Sequence, residues 1–185
     1  RTHDCLLCHI SGRTEEVPGH QVRSMKTDST GRPIFSAGSF TTSHESPLNE
    51  RWGGWYVTGK LSGQAHMGNV LTRTDERNVR KNAKAAADVL DLASRLNLKP
   101  YLSPHSDVVA LLVLEHQIKM HNLITVANYQ GKLALQYAKE MNKAFGEPEG
   151  TISEATAHRF DGPSEAIVKY MLFAEETELK GRIEG

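Results

Sequence analysis

The sequence predicts a mainly α chain: an irregular N-terminal region with a small β-hairpin, followed by a helical, bundle-like part. Two observations carry this. Residues 1–75 are rich in Gly, Ser, Thr and Pro and hold only short apolar runs. Residues 76–185 repeat apolar side chains at alternating three- and four-residue spacing, the period of an amphipathic helix. The expected divisions are therefore 1–75 and 76–185, the second packing on the first, with one continuous domain as the alternative.

Within the first region, Gln21–Lys26 and Pro33–Ala37 flank the turn-forming run Thr27–Arg32, which is a hairpin pattern. Gly54–Gly59 reads as a third short strand or as an ordered loop. Irregular backbone of this length usually wraps something. In the second region Val79, Ala83, Ala86, Leu90 and Ala93 form one stripe, and Lys99-Pro100 ends that helix. Ser103 and Pro104 are the expected N-cap and first helical residue of the next. Its stripe runs through Val109, Leu112, His116, Met120, Leu123, Ala127, Ala134, Tyr137 and Met141, and Gly146 and Pro148 stop it. A kink or break is expected near Gly131. Gly162-Pro163 opens a last helix carrying Ile167, Met171 and Ala174.

The 185 residues suffice for one domain, or a small domain with an appendage, around a genuine core. Lys plus Arg number 22, as do Asp plus Glu, so no electrostatic footprint for nucleic acid or anionic lipid is present. No apolar run reaches the roughly 20 residues needed to cross a bilayer. Nine histidines are many for this length and hint at metal chemistry. The chain starts four residues before Cys5 and ends at Gly185 without a capping signal, as expected of a processed chain or an excised domain; its lack of a leader therefore says nothing of compartment.

The two cysteines, three positions apart, exclude a disulfide framework and a four-cysteine zinc site. Cys5-Leu-Leu-Cys8-His9 fits the C-x-x-C-H pattern of covalent c-type haem attachment. Two thiols on one turn of chain can form thioethers with the two vinyl groups of one haem, and the adjacent imidazole is delivered to the iron. A thioredoxin-like dithiol would need a preceding strand and a long following helix, yet Ser11-Gly12 and Pro18-Gly19 break the chain almost at once. A zinc site would have to recruit His3 or His9.

The motif, with Gly19-His20, Ser36-Ala-Gly38, Ser46-Pro47-Leu48, Arg51-Trp-Gly-Gly-Trp-Tyr-Val-Thr-Gly59, His66-Met67-Gly68-Asn69, Leu114-Glu-His116 and His121-Asn-Leu-Ile124, resembles a family of bacterial single-haem cytochrome c domain proteins. The resemblance spans most of the chain. It implies one covalent haem c, export from the cytoplasm and further sequence beyond this chain, but no particular reaction.

A single histidine leaves the opposite side of the iron to be filled, and the occupant separates functions. A Met thioether raises the potential and suits electron transfer, a second histidine gives a lower potential, and an open position admits peroxide or gas chemistry. Met67 is the first candidate, by analogy with small cytochromes whose distal Met comes from a loop well after the motif; it sits within Gly63–Gly68. The plainer reading of Met67 is apolar packing. His66 is its nearest rival. His116 and Met120, four apart on the long stripe, both point inward, where a satisfied core histidine is the plainer reading. Glu115, His116 and His121 make poor joint ligands, because i to i+5 spacing splays the imidazoles. His3, His20, His44, His105 and His158 show no convergent pattern and read as surface or loop residues.

Trp52, Trp55 and Tyr56 are expected to line the haem pocket, though a local aromatic core under a loop needs the same residues. Arg51, Arg13 and Arg23 are candidates to pair with the propionates. The leading expectation is an extracytoplasmic, periplasmic electron-transfer module serving a redox partner protein. The alternatives are a haem enzyme or gas or redox sensor with a displaceable distal ligand, and an interaction module that docks a partner or forms a homo-oligomer.

Overall fold

A computed structural model describes residues 2–72 and 88–185. The elements in chain order are helix α1 (Thr2–His9), strands β1 (Val22–Met25), β2 (Thr27–Asp28), β3 (Ser39–Thr42) and β4 (Leu71–Thr72), and helices α2 (Val108–Phe145) and α3 (Glu154–Met171). Short 3-10 turns stand at Gly12–Thr14, Phe35–Ala37 and Leu48–Glu50. Helix accounts for 43% of this, with a small antiparallel sheet and one long pair of helices near the C-terminus, so the expected mainly α class is not what forms. Between α1 and α2 the chain is dense in Gly, Pro, Ser and Asn, which favour turns over helix. Among the described residues no helix is long and apolar enough to cross a membrane.

Two compact units are present, and each draws on distant parts of the sequence. One comprises Arg1–Gln21 with Ile118–Ala174, the other Val22–Gln117 with Glu175–Gly185.

The turn expected at Thr27–Arg32 forms around Asp28, whose carboxylate accepts from the Thr30 and Arg32 N–H groups at 2.8 and 3.0 Å. These bonds hold its pKa below the usual carboxylate value, the Thr30 hydroxyl contributing most. The sheet partner of β1 is β3, however, and not Pro33–Ala37: Val22 pairs with Thr42 and Met25 with Ser39, antiparallel. Pro33 has no N–H to give a ladder; it makes one bridge to Thr27, and Phe35–Ala37 then coils into a 3-10 turn. Gly54–Gly59 is an ordered loop with a single bridge from Thr58 to Asp107.

The helix expected from Val79 falls partly outside the described residues, which exclude Val79, Ala83 and Ala86. From Asp88 the chain is not helical; Leu90 and Ala93 are exposed, and Leu92 is the buried side chain. Asp107, not Ser103, caps α2: its carboxylate accepts from Ala110 N–H at 2.9 Å. Helix α2 runs unbroken through Gly131 for 38 residues. Glycine serves close packing there, since a Cβ would lie 3.3 Å from the Phe160 ring on α3. Helix α3 begins at the Ser153 cap and contains Gly162-Pro163 in its interior instead of opening there. The buried residues of α2 are Val108, Leu111, Glu115, Asn122, Ala134 and Ala138, while Val109 and Tyr137 of the expected stripe are exposed. Reading apolar period alone misplaced the buried side because two of its central positions are polar.

The core of the second unit gathers Leu48, Trp52, Val57, Leu61, Val108 and Leu111. Against it lies a buried ion pair, Arg51 to Glu115 at 3.1 Å, both about 1% exposed. Glu115 also accepts from the Thr42 hydroxyl at 2.7 Å. Burial pushes its carboxyl above the ordinary pKa, against the Thr42 hydroxyl, the Arg51 guanidinium and the Trp52 indole. Breaking a buried pair from one side strands the other charge. Arg51→Met is therefore expected to lower the unfolding free energy by about 3–5 kcal/mol in urea denaturation. Thr42→Val, which removes one hydroxyl donor, is expected to cost about 1–3 kcal/mol.

Candidate functional site

Cys5 and Cys8 lie on α1, one turn apart and so on one face. Both are exposed free thiols. Leu6, Leu7 and Ile10 around them are exposed as well, an apolar surface surrounding the two sulfurs. His9 ends the helix. Ser11 then caps the Gly12–Thr14 turn in a reciprocal capping box, and Glu15 turns the chain in the left-handed region at φ 57°. The buried Thr14 hydroxyl donates to the Val17 carbonyl at 2.9 Å, closing the loop back toward His9.

This return brings Gly19 against His9. Gly19 N–H donates to the His9 carbonyl at 3.0 Å, and the His9 Nδ1 lies 2.8 Å from the Gly19 carbonyl. A carbonyl can only accept, so Nδ1 carries the proton and Nε2 keeps its lone pair. Gly19 is itself buried, and a Cβ on it would fall 2.4 Å from Asn122 Oδ1. Asn122, on α2, grips the next residue, accepting from His20 N–H at 3.0 Å and donating to the His20 carbonyl at 2.6 Å. The exposed His20 ring stands 6.3 Å from that of His9 and 5.3 Å from that of His121, centre to centre. His20 and His121 thus belong to the neighbourhood of His9. Residues 20 and 122 are far apart in sequence, and no spacing rule links them. The one local signal was the Pro18-Gly19 turn after the motif.

These features fit a c-type haem. Two outward thiols sit on one helical turn, the adjacent imidazole has its Nε2 lone pair available, and the surrounding apolar side chains are exposed.

The other sequence candidates belong to the second unit. Met67 is buried; its N–H donates to the Arg51 carbonyl at 2.9 Å, and its sulfur receives the Ser24 hydroxyl at 3.8 Å. His66 is buried edge-on to Trp52, ring centres 5.5 Å apart. Its Nδ1 accepts from Gly68 N–H at 3.0 Å, which puts the ring proton on Nε2. Arg51 spends its guanidinium inside the unit, on Glu115, the His44 carbonyl at 2.7 Å and the Ser46 carbonyl at 2.8 Å. Trp52 is fully buried in the core, Trp55 donates to the Arg23 carbonyl at 2.8 Å, and Tyr56 is half-buried. Arg23 donates to Ser39, and Arg13 is exposed on its 3-10 turn.

His116 is half-buried and stacked on His44, ring centres 5.1 Å apart. Their Nδ1 atoms are 2.8 Å apart, so one carries the proton and the other receives it. Burial holds His116 below the ordinary imidazole pKa, reinforced by His44 and opposed by Glu176. Among the described residues no three His, Cys, Asp or Glu side chains converge to hold a metal ion.

No family model matches the chain, and no curated protein or solved structure matches it.

His116 makes stability pH-dependent. An imidazole whose folded pKa lies below its unfolded value of about 6.5 binds fewer protons when folded. The stability it contributes is full above that value and is lost as pH falls through the folded one. Urea denaturation at stepped pH is expected to show unfolding free energy dropping on acidification below about pH 6.5. In His116→Gln that drop should flatten.

Proposed function

We propose that this chain is an electron-transfer module of the c-type cytochrome kind, holding one covalent haem on Cys5 and Cys8 with His9 as the proximal iron ligand. The observation that carries the reading is the His9 Nδ1 bond to the Gly19 carbonyl, which leaves Nε2 as the donor beside two exposed thiols. Metal-ligating histidines are habitually oriented by such a bond from the other ring nitrogen. The haem, when bound, supplies the one-electron Fe(III)/Fe(II) couple. The chain's own part is attachment by Cys5 and Cys8, orientation of His9 by the Gly19 carbonyl, and exclusion of water by Leu6, Leu7 and Ile10. The motif blocks resembling single-haem cytochrome c domain proteins belong to the same reading. With it go an extracytoplasmic, periplasmic location, where such thioethers are made, and a redox partner protein.

The test is expression with a c-haem maturation system, followed by denaturing mass measurement and absorption spectra. The wild type is expected to gain the mass of one haem, and Cys5→Ala with Cys8→Ala to lose it. His9→Ala should lose the wild-type low-spin spectrum. A chain that emerges without haem sinks the reading. Ferrous protein inert to carbon monoxide supports electron transfer, whereas immediate binding replaces it with an enzyme or sensor. Met67→Leu tests the thioether as sixth ligand: loss of a far-red ferric band identifies it, and an unchanged spectrum removes it.

A further inference from the structure

The peptide group between Gly19 and His20 is hydrogen-bonded at both ends. Its carbonyl accepts the His9 Nδ1 proton at 2.8 Å, and its N–H donates to Asn122 Oδ1 at 3.0 Å. An amide that donates through N–H becomes a better acceptor at its own oxygen, because each bond polarises the next. The side chain of Asn122 therefore reaches the imidazole of His9 through one peptide, across a long separation in sequence.

We infer that Asn122 is a positioning residue for His9, setting the tautomer, orientation and basicity of that imidazole through the Gly19–His20 peptide. Three further observations point the same way. Asn122 is 2% exposed, and it both accepts from and donates to the backbone of His20, whose own side chain is exposed. A buried carboxamide serving the backbone of an exposed residue is there for the backbone. Gly19 has no room for a Cβ, which would lie 2.4 Å from Asn122 Oδ1, so the contact requires glycine at the residue that supplies the carbonyl. The Gly19 N–H is bonded back to the His9 carbonyl at 3.0 Å, so His9 and the peptide are tied on both sides. Helix α2 supplies the rigid base from which Asn122 acts.

The consequence for an iron holds on the haem reading above: a stronger hydrogen bond from Nδ1–H to the Gly19 carbonyl makes Nε2 a better donor and favours the ferric state. Without Asn122 the carbonyl is a weaker acceptor, and the reduction potential rises.

Two readouts on the full chain test this. The first is nitrogen-15 NMR of the His9 ring in haem-free protein. Asn122→Leu is expected to shift the ratio of Nδ1–H to Nε2–H tautomer toward Nε2–H by up to about twofold, the scale of a 10–30% change in one hydrogen bond. The second readout is the midpoint potential of haem-loaded protein, expected to move positive in Asn122→Leu. A lower melting temperature alone, with tautomer and potential as in wild type, would reduce Asn122 to a structural clamp and overturn the inference. If maturation yields no haem, the cytochrome reading fails, and the tautomer ratio alone decides the role of Asn122.

Discussion

Irregular backbone can be buried only if its N–H and C=O groups find partners, and most of this protein follows from how that demand is met. Among the described residues regular ladders are few: two short strand pairs and three helices carry them. Elsewhere side chains stand in. Asn122 holds both polar groups of His20, and Asn69 does the same for Val57, accepting from its N–H and donating to its carbonyl at 2.7 Å each. Arg51 collects the His44 and Ser46 carbonyls and is neutralised by Glu115. A carboxamide suits this work because it presents one donor and one acceptor in the spacing of a peptide. The cost is that α2 must bury Glu115 and Asn122, polar residues that a helix of apolar periodicity would place outside.

The same partners sort the histidines by chemistry. His9 meets a carbonyl and so carries its proton on Nδ1. His66 meets an N–H and carries it on Nε2. His44 and His116 meet each other and share one. Identical side chains thus reach three protonation patterns, each dictated by what the neighbouring group can accept or donate. The first pattern leaves an Nε2 donor beside two thiols, which is why the proposed cofactor chemistry gathers at α1.

Much of the candidate site was legible before folding. Cys5, Cys8 and His9 are contiguous, and the helical turn that aligns the thiols needs only local backbone. The turn at Asp28–Arg32 was legible for the same reason, since its bonds span four residues or fewer. Much of what failed depended on a partner far along the chain, and the helix starts failed at local caps. The strand paired with β1 proved to be Ser39–Thr42, because ladder partners are chosen by packing after the turn. Gly131 read as a helix breaker, yet α3 packs its Phe160 ring close to that position and the helix continues. Pro163 read as a helix start, yet Ser153 caps the helix earlier and the proline is carried inside.

The sequence by itself determined that Cys5, Cys8 and His9 share one turn of chain, the existence of two long C-terminal helices and the local turn, all consequences of neighbours in the chain. Only the tertiary structure decided which tautomer His9 adopts, which residues α2 buries, and that Asn122 stands behind the Gly19–His20 peptide. The physical reason is one of reach. A hydrogen bond between residues 20 and 122 leaves no periodicity in either stretch, since it depends on where two backbones meet in space.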